Sequence, residues 1–424
     1  MQRLGTLVHY LCHELMIQFS SPKTVIMQDP KITSNRPFPP VCLLEKLENE
    51  RPTVSQEEIE KVKTRIAEIL EHFEIPFIDI EVQCGLAYTS YKIRVAPGTR
   101  VTEIMDLEEE FCCLLQDFGR ARLNVPLPYK IAFSLEITNA SPQTVSLRTL
   151  IESDAFQKTE AELPVALGVT INNEPVVMDL AKMHGLLIGG AVMQGKTVCL
   201  HNIILSLLYK KRPNELKFVI MDPLKYKFHI YNKLKNSYLA CLPDLCPSII
   251  TETAQMENVL LVLLREMDRR YDLIRNAQTR NIKEYNATVA NDSQLPNIVL
   301  IVDEFVELFL EAEERVETVC QAISNLAILG RAIGIHPIIT TSRIDCSIIP
   351  WSFLCDFSAH IAFRVATGWE SLLILHNKDA TSLSSKGDIL LDIGNKPLRL
   401  QGALVTSEKI ERVVEYVAQT VNVS

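Results

Sequence analysis

Residues 186–197 read Leu-Leu-Ile-Gly-Gly-Ala-Val-Met-Gln-Gly-Lys-Thr, and no other stretch restricts the fold so far. A short apolar run ends in Gly190-x-x-x-x-Gly195-Lys196-Thr197. Apolar residues at helical spacing follow at once: Val198, Leu200, Ile203, Ile204, Leu207 and Leu208. A strand, a glycine-bounded turn and a helix in that order make a phosphate-binding loop. The glycines allow a tight turn, so that backbone N–H groups of Gly190, Ala191, Val192, Met193, Gln194 and Gly195 converge on a triphosphate. Lys196 is placed to reach the β- and γ-phosphates and Thr197 to hold Mg²⁺, with the helix N-terminus adding a favourable dipole. The reading is a site for ATP or GTP.

A second segment supports it. Asn297-Ile-Val-Leu-Ile-Val302 is an uninterrupted apolar run, as in a strand buried on both faces of a parallel sheet, and it ends in Asp303-Glu304. Taken alone, the two acids could cap a helix, because Phe305-Val306-Glu307-Leu308 continues at helical spacing. With a phosphate loop upstream, Asp303 reads instead as the Mg²⁺-organising carboxylate and Glu304 as the group that polarises the attacking water.

At 424 residues with 47% apolar content, the chain is long enough for two or three domains. Its net charge of −9 argues against a surface that is basic everywhere, though not against a local basic channel. The 11 cysteines are scattered and odd in number, with no Cys-x-x-Cys pair, which fits reduced thiols in a cytoplasmic protein. No apolar run reaches transmembrane length. Residues 4–18 come nearest, but His9, His13 and Glu14 interrupt them, so they read as an amphipathic helix or the remnant of a linker. Residues 1–40 form an N-terminal segment and linker, rich in proline near its end. From residue 41 to about 150 the pattern is a small α/β domain. Ser55-Gln-Glu-Glu58 is a capping box ahead of an apolar stripe, and strands are expected at 77–82, 91–95 and 130–137. In the remainder, 151–424, strand candidates at 186–190, 217–222, 297–302, 336–341 and 360–365 alternate with helical patterns. That alternation predicts a parallel sheet flanked by helices. The strand at 217–222, between the phosphate loop and the acidic strand, fits the RecA-like branch of P-loop NTPases.

Several stretches, in order, resemble the FtsK/SpoIIIE family of ATP-driven DNA translocases. Arg94-Val-Ala-Pro-Gly98 looks like the family's "L-A-P-G" turn, and Glu174-Pro-Val-Val-Met-Asp-Leu-Ala-Lys-Met183 like its lead-in to the phosphate loop. Met221-Asp-Pro223 resembles "I-D-P". Glu266-Met-Asp-Arg-Arg-Tyr271 and Arg280-Asn-Ile-Lys-Glu-Tyr-Asn286 are similar to "E-M-E-R-R-Y … R-N-I-x-x-Y-N". Gly330-Arg-Ala-Ile-Gly-Ile-His336, Thr341-Ser-Arg343 and Gly387-Asp388 continue the series. The resemblance implies a ring-building α-domain followed by a RecA-like motor domain, in a hexamer encircling double-stranded DNA with ATP and Mg²⁺ between subunits. It implies that Thr341 and Ser342 sense the γ-phosphate and that Glu304 is the catalytic base. Arg331 is either a finger reaching the neighbouring subunit's nucleotide or a helix-end arginine stabilised by the dipole.

The chain also departs from that pattern. Met193 stands where the family's loop usually has glycine, Ser342 replaces glutamine in "T-Q-R-P", and Leu372 occupies an arginine position of "D-S-R". Residues 344–363 contain no Lys or Arg, although the matching family segment carries a lysine near the DNA. If a duplex is gripped, charges must come from elsewhere; the 265–283 stretch holds Arg265, Arg269, Arg270, Arg275, Arg280 and Lys283, several of them expected on a solvated face. The membrane anchor and winged-helix module frequent in the family have no counterpart, so the chain is expected to be the motor alone or a piece cut to it. Three functions are thus in play: a DNA motor, a conjugation-coupling or secretion ATPase moving another cargo, and a nucleotide-binding ring protein with little hydrolysis.

Overall fold

In the computed structural model, residues 37–47, 54–125, 132–241, 249–309, 316–343, 349–384, 387–394 and 396–422 are described. The expected helix at 4–18, most of the linker and residues 344–348 lie outside them.

The first part of the chain builds a four-stranded antiparallel sheet in the order β1-β2-β4-β3, from β1 (Phe77–Cys84), β2 (Tyr88–Val95), β3 (Ala121–Asn124) and β4 (Ala132–Thr138). The helix Gln56–His72 covers it. Ser55 caps that helix by accepting from the Glu58 N–H, and Ile59, Val62, Ile66, Ile69 and Leu70 form the buried stripe. The stripe packs on Tyr91, Ile93, Phe111, Phe133 and Leu135, giving this sheet a core of its own.

The larger sheet has ten strands. Its parallel centre runs β12-β8-β11-β10-β9, with β8 (Leu186–Gly189), β9 (Leu216–Met221), β10 (Asn297–Val302), β11 (Ile335–Thr341) and β12 (Ala359–Ala362). All of these strands are buried along their length, as expected for a sheet covered by helices on both faces. The sequence predicts only this parallel part. The structure adds an antiparallel wing of β6 (Pro164–Val169), β7 (Pro175–Asp179), β13 (Asp388–Asp392) and β14 (Leu398–Leu404), so the sheet is mixed; β5 (Val145–Ser146) pairs with β14. Short connections such as 170–174 and 393–397 allow only antiparallel pairing. In β14 the pattern is disguised, because Arg399 and Gln401 are buried where apolar residues would be expected.

Arg399 explains its own burial. Its guanidinium binds Asp388 through two bonds (3.0 and 2.7 Å) and Glu136 of β4 at 3.0 Å, and lies 4.0 Å from the Tyr88 ring centroid. Arg122 of β3 also binds Glu136, at 3.1 Å, and reaches Asp379. This buried charge network joins the two sheets. Breaking such a network from one side strands charges in a low-dielectric interior. Arg399→Ala is therefore expected to lower unfolding free energy by about 3–5 kcal/mol, read from chemical denaturation of native and variant protein.

The stretch 265–283 is not one solvated helix. One helix spans Thr253–Asn276 and another Ile282–Thr288. Arg270 is fully buried, donating to Glu266 (2.8 Å) and to the Ile333 carbonyl (2.8 Å), and Arg269 grips the same Glu266. Arg270 thereby ties its helix to the turn that leads into β11 and is buried away from any duplex, whereas Arg269 bonds within its own helix and keeps 32% of its side chain exposed.

Candidate functional site

The site forms at the C-terminal ends of β8, β11 and β10, where parallel strands release their chains into loops. The loop after β8 is anchored by Gly190 N–H to the Thr341 carbonyl (3.3 Å) and Ala191 N–H to the Arg364 carbonyl (2.9 Å). Gly190 and Gly195 have φ of +154° and +118°, and a Cβ on Gly190 would lie 2.5 Å from the Phe363 side chain. Gly195 is the N-cap of the helix Lys196–Leu208, which puts Thr197 in its first turn. Met193 adopts φ +63° and is 92% exposed, so the loop accepts methionine in a conformation that favours glycine, at a cost in backbone strain.

Lys196 is only 4% exposed. Its ammonium donates to the carbonyls of Gly190 (2.8 Å) and Ala191 (3.0 Å) and lies 3.6 Å from Glu304 Oε1. Burial lowers its pKa, opposed by Glu304. Asp303 is wholly buried at the end of β10. Its Oδ1 accepts from the Thr340 hydroxyl (2.8 Å) and its Oδ2 from Lys227 Nζ (2.7 Å); burial pushes this carboxyl up, partly offset by Lys227. Glu304 follows at φ +47°, strained for a residue with a side chain. Its N–H donates to Thr340 Oγ1 (2.9 Å) and its Oε2 accepts from the Ser342 N–H (2.9 Å). Burial would raise its pKa, but Lys196, Ser342 and Lys227 outweigh that and hold the carboxyl low.

Lys196, Asp303, Glu304 and Ser342 thus converge. Thr341 does not join them: its hydroxyl accepts from the Arg343 N–H (3.2 Å), turned to its own loop. Neighbouring strand residues face opposite sides, so it is Thr340 and not Thr341, the expected γ-phosphate sensor, whose hydroxyl meets Asp303. The pairing of Val302 with Ile339 fixes this, since it sets Asp303 opposite Thr340. Lys227 was also missed. It lies on the loop after β9, 76 residues from Asp303 in sequence, and only the adjacency of β9 and β10 brings it there. Arg331 lies elsewhere: it precedes β11, at the end of the sheet away from the phosphate loop, and binds the Lys182 carbonyl at 3.3 Å.

Beside the loop opens a cavity of about 250 Å³, walled by Gln194, Val198, Asn202, Phe363, Ile389 and Gln401 among others. Among the described residues no cluster of three or more acids, histidines or cysteines could hold a metal alone. Thr197 and Asp303 offer hard oxygen donors, the kind that share Mg²⁺ with phosphates, and the ammonium of Lys227 already stands against Asp303 as a cation would.

A parallel sheet with a lysine-bearing glycine loop and an acidic pair on the next strand but one defines a P-loop NTPase. The chain belongs to the FtsK/SpoIIIE family: that family's model matches residues 146–346, and the FtsK alpha domain model matches residues 38–139. It is 32% identical over 386 residues to the DNA translocase FtsK of Chlorobaculum tepidum, covering 90% of this chain and 48% of the relative. It is 34% identical over 347 residues to the DNA translocase SpoIIIE of Bacillus subtilis, covering 80% and 43%. The chain therefore spans about half the length of the curated relatives it matches. Among solved structures it is similar to the pCW3 conjugation coupling protein TcpA with ATPgS (TM-score 0.57, 20% identity, 84% of this chain and 99% of that one). It is also similar to the cytoplasmic domain of the Thermomonospora curvata type VII secretion ATPase EccC (TM-score 0.54, 21% identity, 65% and 34%). These likenesses speak to the fold. No helix among the described residues is long and apolar enough to cross a membrane.

Proposed function

We propose that this chain is an ATP-hydrolysing motor that moves along double-stranded DNA. The observation that carries the reading is the approach of Lys196 to within 3.6 Å of Glu304, which sets a phosphate-binding cation against a carboxylate held ionised. Bound Mg²⁺ would draw charge from the β- and γ-oxygens. The residues supply the rest. Lys196 gives up the Gly190 and Ala191 carbonyls for the phosphates, which the loop N–H groups cradle. Thr197 and Asp303 would hold the metal. Glu304 takes a proton from water as its oxygen attacks the γ-phosphorus, and the bond to the β-phosphate oxygen breaks, releasing ADP and phosphate. Ser342, through its N–H on Glu304, is a route by which the γ-phosphate state reaches the next loop. The neighbouring cavity suits the base: among the described residues Gln194 Oε1 and Asn202 Oδ1 on its walls have no hydrogen-bond partner, and an exocyclic amine would supply one.

The relatives are named DNA translocases, which supports duplex DNA as the cargo. A homohexameric ring with ATP between subunits, Arg331 reaching the adjacent nucleotide and a cytoplasmic location complete the reading. Polypeptide cargo is the second reading, favoured by the acidic balance of the chain and the lack of Lys and Arg over 344–363. Phosphate contacts release counterions, so DNA binding weakens steeply with salt. Duplex DNA is expected to stimulate ATP turnover at low salt, the stimulation falling at least about tenfold between 50 and 200 mM. Turnover indifferent to duplex at low salt favours the other cargo.

A further inference from the structure

Lys227 has no assigned part in the site, yet it makes the shortest contact there. Its ammonium sits 2.7 Å from Asp303 Oδ2 and 3.7 Å from Glu304 Oε1. Thr340 holds the other Asp303 oxygen, so both oxygens of a fully buried carboxylate are engaged by side chains of the chain itself. The backbone carrying Lys227 is pinned. Asp222, at the end of β9, accepts from the N–H groups of Lys227 (2.9 Å) and Phe228 (3.2 Å), and the Phe228 side chain is buried. Lys225, two residues earlier, is held at φ +69° and paired with Glu252 at 2.8 Å. The anchored main chain fixes where the lysine starts, while its four methylenes leave the ammonium free to swing.

We propose that Lys227 is a resident cation that occupies the metal's place on Asp303 and must be displaced for metal-bound nucleotide to dock, so that it sets the metal requirement of nucleotide binding. A buried carboxylate is costly unless a cation accompanies it. Lys227 meets that need as the structure stands; with metal-bound nucleotide docked Mg²⁺ would meet it, and a monovalent and a divalent cation on one carboxylate repel each other strongly at this range. Lys227 is accordingly a positioning residue for Asp303, a role distinct from that of Lys196. The inference rests on Asp303 being the metal-ordering group.

The test titrates Mg²⁺ against the full chain and a fluorescent ADP analogue, reading binding and not turnover, for native protein, Lys227→Gln, Lys227→Arg and Asp303→Asn. Gln keeps a hydrogen-bond donor for Asp303 but no charge; Arg keeps the charge. Half-saturating Mg²⁺ is expected to fall about tenfold or more in Lys227→Gln and to stay near native in Lys227→Arg. Melting temperatures with and without Mg²⁺ give a second reading even in a destabilised variant: Mg²⁺ should raise that of Lys227→Gln more than that of native protein. An unchanged or greater Mg²⁺ requirement in Lys227→Gln, with Asp303→Asn still impaired, overturns the role of Lys227 alone. Binding indifferent to Mg²⁺ in both native protein and Asp303→Asn overturns the assignment of Asp303 as well.

Discussion

Lys196→Ala is expected to reduce ATP turnover at least about 10³-fold, with a matching loss of affinity for a fluorescent ATP analogue. The lysine is buried, its ammonium donates to two loop carbonyls, and it lies 3.6 Å from Glu304 Oε1. Those carbonyls are its resting partners. A polyphosphate in the loop outcompetes them because its charge is full where theirs is partial, and the surroundings exclude the water that would screen it. Removing the ammonium leaves the loop N–H groups without a cation behind the β- and γ-oxygens. Because the carbonyls of Gly190 and Ala191 keep their places in the loop, the melting temperature should change little compared with the loss of function. Lys196→Arg should rescue poorly, since a planar fork cannot fit where a compact ammonium reaches two carbonyls at 2.8 and 3.0 Å. A Lys196→Ala protein that turns over ATP at the native rate would remove the phosphate loop from the account.

Glu304→Gln should show the opposite split. Nucleotide binding stays near native, while hydrolysis falls by about 10²–10⁴-fold. The amide keeps an oxygen for the Ser342 N–H, so the strained backbone at φ +47° and its bond to Thr340 have every reason to persist. What is lost is the base. Before nucleotide docks, Lys196, the Ser342 hydrogen bond and Lys227 hold the Glu304 carboxyl low despite its burial, and the Ser342 N–H stays to support the anion that accepts a proton from water. Single-turnover hydrolysis beside equilibrium binding of the same analogue separates the two effects. Loss of binding and turnover together would make Glu304 a structural partner of Lys196.

How much of this was legible beforehand follows from which interactions are local. The phosphate loop, the strand 297–302 with its acids and the helix after Ser55 are written in contiguous residues, and the sequence reading places them near where the structure does. The parallel centre of the sheet followed from strand and helix alternation. The antiparallel wing did not, because buried Arg399 and Gln401 interrupt the apolar signature of β14, and their partners Asp388 and Glu136 are known only in three dimensions. Thr340 and Thr341 could not be told apart without the register of β11 against β10. Lys227 carried no local signal at all, since a lysine in a polar loop reads as solvated until the β9–β10 pairing sets it against Asp303. Met193 is the reverse case: its departure from glycine was visible in sequence, and the positive φ shows what that substitution costs the loop.

The most direct test is the structure of the chain with Mg²⁺ and a non-hydrolysable ATP analogue. The account predicts the triphosphate in the loop at 190–197, Lys196 moved from the Gly190 and Ala191 carbonyls onto the β- and γ-oxygens, and a metal between Thr197 and the Asp303 side. Nucleotide bound elsewhere, or seated in the loop with Lys196 still on those carbonyls, would contradict it.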